Sequence, residues 1–206
     1  MLEFLFTQYK GYETIDIVLE IIAVVFGLIS VLFAKKNNIW VYPTGLISTF
    51  IYVYLLLKWG LIGDMLINGY YTIMSVYGWY MWARKKEGAV EYPISWTTKK
   101  EAIISVVIFS ITILFVILVY HWFEKFNDWT AYVDSFTTGI FFVGMWLMAK
   151  RKIENWLFWI VGDAISVPLY FYKGFTFSSF QFIIFTFIAV LGYIEWKRNL
   201  QKAISL

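Results

Sequence analysis

The chain has 206 residues, of which 61% are hydrophobic, 22% aromatic and only 15% charged, with a formal net charge of +3 and no cysteine. A soluble domain of this length has no interior for so much apolar side chain, so the composition excludes a water-soluble fold and calls for a polytopic helical protein in a lipid bilayer. The lack of cysteine removes disulfides, thiol chemistry and Cys-type metal sites, and no basic cluster with interleaved aromatics marks a nucleic-acid surface.

The opening stretch MLEFLFTQYKGYETID has acidic residues and no basic region ahead of its apolar part, so the first helix is expected to be retained rather than cleaved as a signal peptide. Apolar runs bounded by charged or turn residues predict seven membrane-spanning helices, near 15–34, 39–57, 61–82, 102–123, 131–150, 155–172 and 176–196. The expected fold class is an all-α integral membrane protein in one transmembrane domain. On the first span Asp16 and Glu20 lie one turn apart, with Glu20 well inside the apolar run. On the second, Pro43 occupies the first turn, where a missing amide proton costs little, and Thr44, Ser48 and Tyr52 form an edge. On the third, Asp64, Asn68, Tyr71 and Ser75 step by four, three and four, so they share a face. The polar piece ARKKEGAVEYPISWTTKKE that follows, 83–101, contains Pro93 and reads as a loop. His121, the one histidine, falls in the connection after the fourth span, with no second histidine to complete a metal site, and is expected to be solvated.

The sixth span, ENWLFWIVGDAISVPLYFYKG, departs furthest from a plain apolar helix. Trp156, Trp159, Asp163, Ser166 and Tyr170 recur at steps of three and four and form a single stripe. Tryptophan near a helix end commonly sits at the membrane interface, which accounts for Trp156 but not for Trp159 or Asp163, each roughly a turn deeper. A carboxylate at that depth costs at least about 2.5 kcal/mol on insertion scales, so Asp163 needs a partner or water. Pro168 frees the carbonyl of Ala164 and is expected to bend the helix beyond Asp163. On the seventh span Ser178 and Gln181 lie near one end. Each polar residue has a structural alternative: Ser and Thr bond back to their own helix, Asn68, Tyr71 and Gln181 can join helices, Asp64 can be hydrated near the span's end, and Glu20 can hydrogen-bond a neighbouring helix.

In a seven-span arrangement thirteen Lys and Arg residues fall on one side, against only Lys10, Lys58, Lys125 and Lys173 on the other, among 17 in all. That split predicts an external N-terminus and a cytoplasmic C-terminus. The sequence also repeats: Ala34-Lys35-Lys36 precedes the second span as Ala149-Lys150-Arg151 precedes the sixth, and GWYMW, 78–82, closes the third span as GYIEW, 192–196, closes the seventh. Two parallel three-helix repeats, about 15–82 and 131–196, joined by a linker helix near 102–123, are therefore expected, a plan shared with the sugar carriers called SWEETs. Repeat symmetry directs attention to the space between the triplets, near mid-membrane.

The run GDMLINGYYTIMSVYGWYMW, from Gly63 to Trp82, together with ENWLFWIVGDAISVPLYFYKG and GYIEW, resembles the PnuC family of bacterial vitamin transporters, over about Ile15 to Lys197. The resemblance implies the three-one-three helix arrangement, a homotrimer in the bacterial inner membrane, and facilitated diffusion of nicotinamide riboside, with thiamine or riboflavin carried by relatives. It also implies that Trp156, Trp159 and Asp163 contact the ligand. Where the family has Gln in its third helix this chain has Asn68, a departure that bears on which vitamin is carried. The residues fit such a ligand independently: an electron-poor or cationic heterocycle stacks on Trp or Tyr, a carboxylate balances its charge, and amides and hydroxyls bind ribose or carboxamide. Asn68, Tyr71, Gln181, Tyr170, Ser166, Glu20 and Thr44 complete the expected contacts. No Gly-rich phosphate cradle is present, so transport should not be driven by ATP, and no cofactor is expected. A membrane-embedded enzyme using Asp163 and Glu20 as acid and base is the competing class, but the chain offers no metal-ligand set and no nucleophile beside a base. A structural scaffold is the third.

Overall fold

The computed structural model describes residues 13–60, 62–86, 88–124, 129–174 and 176–204. The opening stretch through Tyr12, with Lys10, and the connection holding Lys125 lie outside the described residues. Among the described residues seven helices follow one another: α1 (Thr14–Lys35), α2 (Val41–Lys58), α3 (Ile62–Ala83), α4 (Lys99–Trp122), α5 (Thr130–Ala149), α6 (Asn155–Tyr172) and α7 (Thr176–Ile204). Five of them, α1, α2, α4, α5 and α7, are long and apolar enough to cross a membrane on their own account. The other two, α3 and α6, carry the polar stripes.

Three local differences from expectation have local causes. The stretch read as a loop contains a small antiparallel hairpin, β1 (Lys85–Lys86) with β2 (Ala89–Val90), turned at Gly88 with φ 83°. It ends early because Thr98 and Glu101 form a capping box, Thr98 Oγ1 accepting from the Glu101 amide at 3.3 Å and the Glu101 carboxylate from the Thr98 amide at 2.9 Å. His121 lies in the last turn of α4 rather than in a connection, and it is exposed. Finally, α7 continues past Trp196 through the polar KRNLQKAI.

Helices α1, α2 and α3 pack in sequence, as do α5, α6 and α7; the two triplets meet along α3 against α5 and α1 against α7, while α4 lies mainly on α5. Apart from α4, this pattern is unchanged when the first triplet is exchanged for the last. The odd helices of both triplets run the same way, because the ends of α3 and α5 adjoin at Trp82 and Met148, and those of α7 and α1 at Trp196 and Ala34. One end of the bundle thus gathers Lys35, Lys36, Arg84, Lys150, Arg151 and Lys197; the other holds Lys58 and Lys173.

The correspondence extends to single residues at a constant spacing of 114. Asn37 and Arg151 both take positive φ, 51° and 52°, just after α1 and α5, and Gly60 and Gly174 do so after α2 and α6. Both odd helices end in the same reverse turn, with Asn37 and Asn38 amides bonding Ala34 and Phe33 carbonyls, and Arg151 and Lys152 amides bonding those of Met148 and Leu147. The structural register therefore pairs Ala34 with Met148, one residue away from the Ala34 to Ala149 pairing expected from sequence. The GWYMW and GYIEW segments align as expected.

Helix α5 is the centre of the molecule: 67% of its apolar window is buried, against 17–28% for the other four membrane-length helices. Its small residues permit this. A Cβ on Gly139 would stand 2.8 Å from Phe109 of α4, and one on Gly144 3.3 Å from Phe158 of α6.

Candidate functional site

The α6 stripe divides by depth into two parts. Nearest the Lys/Arg-rich end, Trp156 is only 1% exposed and packs edge-on against Trp196, with ring centroids 5.6 Å apart at 89°. Gly192 makes room for it, since a Cβ there would lie 2.7 Å from the indole. The pseudo-equivalent residues repeat the arrangement: Tyr42 meets Trp82 edge-on at 5.1 Å and 88°, over Gly78, whose added Cβ would collide with the tyrosine ring. Trp82 and Trp196 meet in the middle at 5.9 Å. Each indole then ties its triplet to the other, Trp82 Nε1 donating to the Met148 carbonyl at 3.3 Å and Trp196 Nε1 to that of Ala34 at 2.9 Å. Arg151 is buried beside this layer, its guanidinium 4.1 Å from the Trp82 ring centroid and donating to the Tyr92 carbonyl at 3.0 Å. Burial pushes this guanidinium below its ordinary pKa. The four rings close the Lys/Arg-rich end of the space between the triplets.

One turn deeper, Trp159 faces Tyr71 of α3, 6.5 Å between centroids, and stacks on Phe141 of α5 at 5.5 Å and 27°. Asp163 is 3% exposed and lies one turn further along the same edge of α6 as Trp159. Tyr70 stacks on Phe142 at 3.7 Å and donates to the Phe142 carbonyl at 3.0 Å. Phe182 of α7 lies 6.3 Å from Phe141 and 4.9 Å from Tyr170. The result is an aromatic box with one carboxylate and three phenols, those of Tyr70, Tyr71 and Tyr170, contributed by α3, α5, α6 and α7. Ser166 is also buried on this stripe, and its Oγ, like Trp156 Nε1, makes no hydrogen bond among the described residues. Buried polar atoms of this kind cost free energy until something satisfies them.

The remaining expected residues separate. The Thr44 hydroxyl bonds its own helix, to Trp40 O at 2.7 Å, and Ser48 bonds the Ala23 carbonyl of α1 at 2.8 Å, both structural uses. The Asn68 amide likewise donates to Asp64 O at 3.0 Å, four residues back. Gln181 is half-buried on α7. Glu20 is half-buried on α1, engaged with a neighbour, and lies 114 residues from Asp134 of α5. Asp134 pairs with Lys173 and hydrogen-bonds Tyr120, as Asp16 pairs with Lys58 at 2.8 Å, so acidic residues at the head of each triplet hold the ends of α2 and α6. Pro168 lies inside α6, and Ser179 of α7 donates to the neighbouring Val167 carbonyl at 2.8 Å.

Phe141, Phe142, Tyr70 and Phe182 were not among the sequence candidates. Apolar aromatics are common in any membrane helix, and only the small-residue character of α5 marked it as central. A cleft of about 670 Å³ lies elsewhere, between α4, α5 and the start of α6, with Thr97, Lys99, Ser105, Phe136 and Phe158 among its walls. It contains none of the candidate residues.

An aromatic box between two parallel helix triplets, closed at one end by a symmetric layer of rings, is the arrangement of a carrier. The sequence model of the nicotinamide mononucleotide transporter family matches residues 17–198. The chain belongs to that family. It is 25% identical to the nicotinamide riboside transporter PnuC of Escherichia coli (strain K12), over 89% of this chain and 87% of the relative. It is also 21% identical to the riboflavin/roseoflavin transporter RibM of Streptomyces davaonensis, over 86% and 83%. A crystal structure of the vitamin B3 transporter PnuC shares the fold, with a TM-score of 0.67 at 23% identity, covering 98% of this chain and 90% of that one. The protein is a multi-pass membrane transporter of the PnuC family.

Proposed function

We propose that the protein carries a vitamin containing a flat, positively charged heterocycle, nicotinamide riboside first among them, through the box formed by Trp159, Tyr71 and Asp163. The observation that carries this reading is the buried Asp163 carboxylate one turn from Trp159, whose ring neighbours that of Tyr71 from the other triplet at 6.5 Å and 48°. A cation over an aromatic face gains about 2 kcal/mol or more when both are dehydrated, and a carboxylate alongside supplies the counter-charge that burial otherwise makes costly. In this reading a flat ligand ring takes the place of Phe141 against Trp159, and the stacking of those two rings supports it. Ser166 Oγ and Trp156 Nε1 are within the same stripe and offer hydrogen bonds to ribose or carboxamide groups.

The end bearing Glu13, Asp16, Glu20, Asp64 and Asp134 with Lys58 and Lys173 is read as external, and the Lys/Arg-rich end as cytoplasmic, in a bacterial inner membrane. An acidic entrance concentrates a cationic ligand. The carrier works by facilitated diffusion as a homotrimer, and a cytoplasmic kinase retains the product by phosphorylating it. The vitamin leaves chemically unchanged. The second reading is a neutral vitamin, riboflavin, favoured by the RibM relative and the apolar walls of the box; thiamine, also cationic, is the third. Proteoliposomes loaded in parallel with radiolabelled nicotinamide riboside, thiamine and riboflavin test it: saturable uptake of nicotinamide riboside, returned intact, is expected. Uptake of riboflavin alone transfers the function to the second reading.

A further inference from the structure

Two seams join the triplets, α3 against α5 and α1 against α7, and the 114-residue correspondence allows them to be compared position by position. Both have an indole bonded to the opposing helix end, Trp82 to Met148 and Trp196 to Ala34. Beyond that they differ in residue type. On α3–α5, Arg151 stacks on Trp82; its counterpart is Asn37, which has no cation to offer. On α3–α5, Tyr70 stacks on Phe142 and donates to its carbonyl; the counterparts are Ile184 and Leu28, which can neither donate nor stack. The segment after α3 crosses back onto the α5–α6 turn. Ser95 exchanges backbone bonds with Arg151 and Ile153 at 3.1 Å each, Glu154 accepts from the Thr97 amide at 2.9 Å, and Lys152 pairs with Glu101 at 3.0 Å. Past Trp196 the chain instead continues as α7 to Ile204.

We propose that the α3–α5 seam is the fixed hinge of the carrier and that the Lys/Arg-rich end opens by separation of α7 from α1. The closed layer of four rings must part for a ligand in the box to leave at that end. Parting it along α3–α5 requires loss of an indole bond, a buried cation–π stack, a tyrosine bond at mid-depth and a two-way backbone bridge. Parting it along α1–α7 breaks the Trp196 bond, with residue types at the three counterpart positions that cannot replace what α3–α5 has. When barriers differ this much, motion follows the weaker seam. Trp156 and Trp196 then move with α6 and α7 away from Ala34, which uncovers the box on the Trp159 side.

The inference rests on the transport reading, and its test does not require the vitamin to be known. The chain lacks cysteine, so spin labels can be placed at two equivalent pairs, Lys36→Cys with Lys197→Cys across α1–α7, and Ala83→Cys with Lys150→Cys across α3–α5. Labelled protomers, diluted with unlabelled protein in lipid nanodiscs, are measured by double electron–electron resonance. Trp196→Phe, which keeps the ring and removes the N–H, and Trp82→Phe are measured alongside, each checked for wild-type elution and melting. The expected result is a second, longer distance for the α1–α7 pair that grows several-fold in population in Trp196→Phe, with a single unshifted distance for the α3–α5 pair in every sample, Trp82→Phe included. A second distance on the α3–α5 pair overturns the proposal, and so does one unshifted distance on both pairs in every sample. Vitamin flux measured on the unlabelled protein reports separately on the transport reading, so its failure leaves these distances interpretable.

Discussion

At Asp163 two roles separate under substitution. Asparagine keeps the size and the hydrogen-bonding of the side chain while removing its charge. With the carboxylate as counter-charge to a cationic ring, Asp163→Asn is expected to weaken nicotinamide riboside binding by at least about 1.5 kcal/mol, roughly ten-fold, because a charge-assisted bond is worth about twice a neutral one. Isothermal titration of the purified protein measures it. A silent Asn variant beside a defective Asp163→Ala makes the residue a simple acceptor, and equal loss of ligand-free melting temperature in both makes it structural. Trp159→Ala removes a ring that faces both Tyr71 and Phe141, and should cost about 1 to 2 kcal/mol of binding in a protein that still folds. Unchanged affinity in the folded variant removes the stacking role. The steps of three and four on α6 were enough to put Trp159 and Asp163 on one buried edge, because helical periodicity is local. Depth set Trp156 apart only as an interface residue; its tight seat is made by a glycine on α7, far away in sequence.

Among elements, α3 and α7 show how a helix can be shaped to receive one ring. Gly192→Ala places a Cβ 2.7 Å from the Trp156 indole, a ring that is 1% exposed and flanked edge-on by Trp196. Overpacking of this kind costs typically about 1 to 3 kcal/mol. Gly192→Ala is therefore expected to lower the melting temperature measured by intrinsic fluorescence, and Gly78→Ala to do the same against Tyr42. Gly69→Ala, on the same α3 but with nothing within 4 Å of the added carbon, should be neutral or stabilising, by up to about 1 kcal/mol from helix propensity. If all three melt alike, the ring seats are not tight. The GWYMW and GYIEW segments were visible as a repeat, but their purpose was not, because each glycine and tryptophan acts on a ring from another helix. The Thr98 to Glu101 capping box, by contrast, was written in the sequence as T-x-x-E, and the polar run in front of it obscured the start of α4.

For the molecule as a whole, composition and apolar run lengths sufficed for seven helices, since a bilayer leaves little choice of element. The exchange of triplets was legible only in outline, and its register came out one residue off at the first connection, because Lys and Arg cluster at every such end and identical letters align by chance. What the symmetry implies for energetics is a stronger statement than the fold. The proposed ligand contacts come from one box shared by both triplets, and among the described residues no cluster of acidic or histidine side chains suited to a metal ion stands beside it. A carrier whose two conformations differ only in which side the box faces binds its ligand equally from either side, and can equalise concentrations but not raise one above the other. Uptake of nicotinamide riboside into empty proteoliposomes clamped at zero membrane potential is therefore expected to stop when the internal concentration reaches the external one, and to be unaffected by a proton or sodium gradient imposed under that clamp. Accumulation beyond that level, driven by either gradient, would mean that Asp163 or Glu20 binds a coupling ion in one conformation and releases it in the other, and the box would then have to be redrawn around that ion.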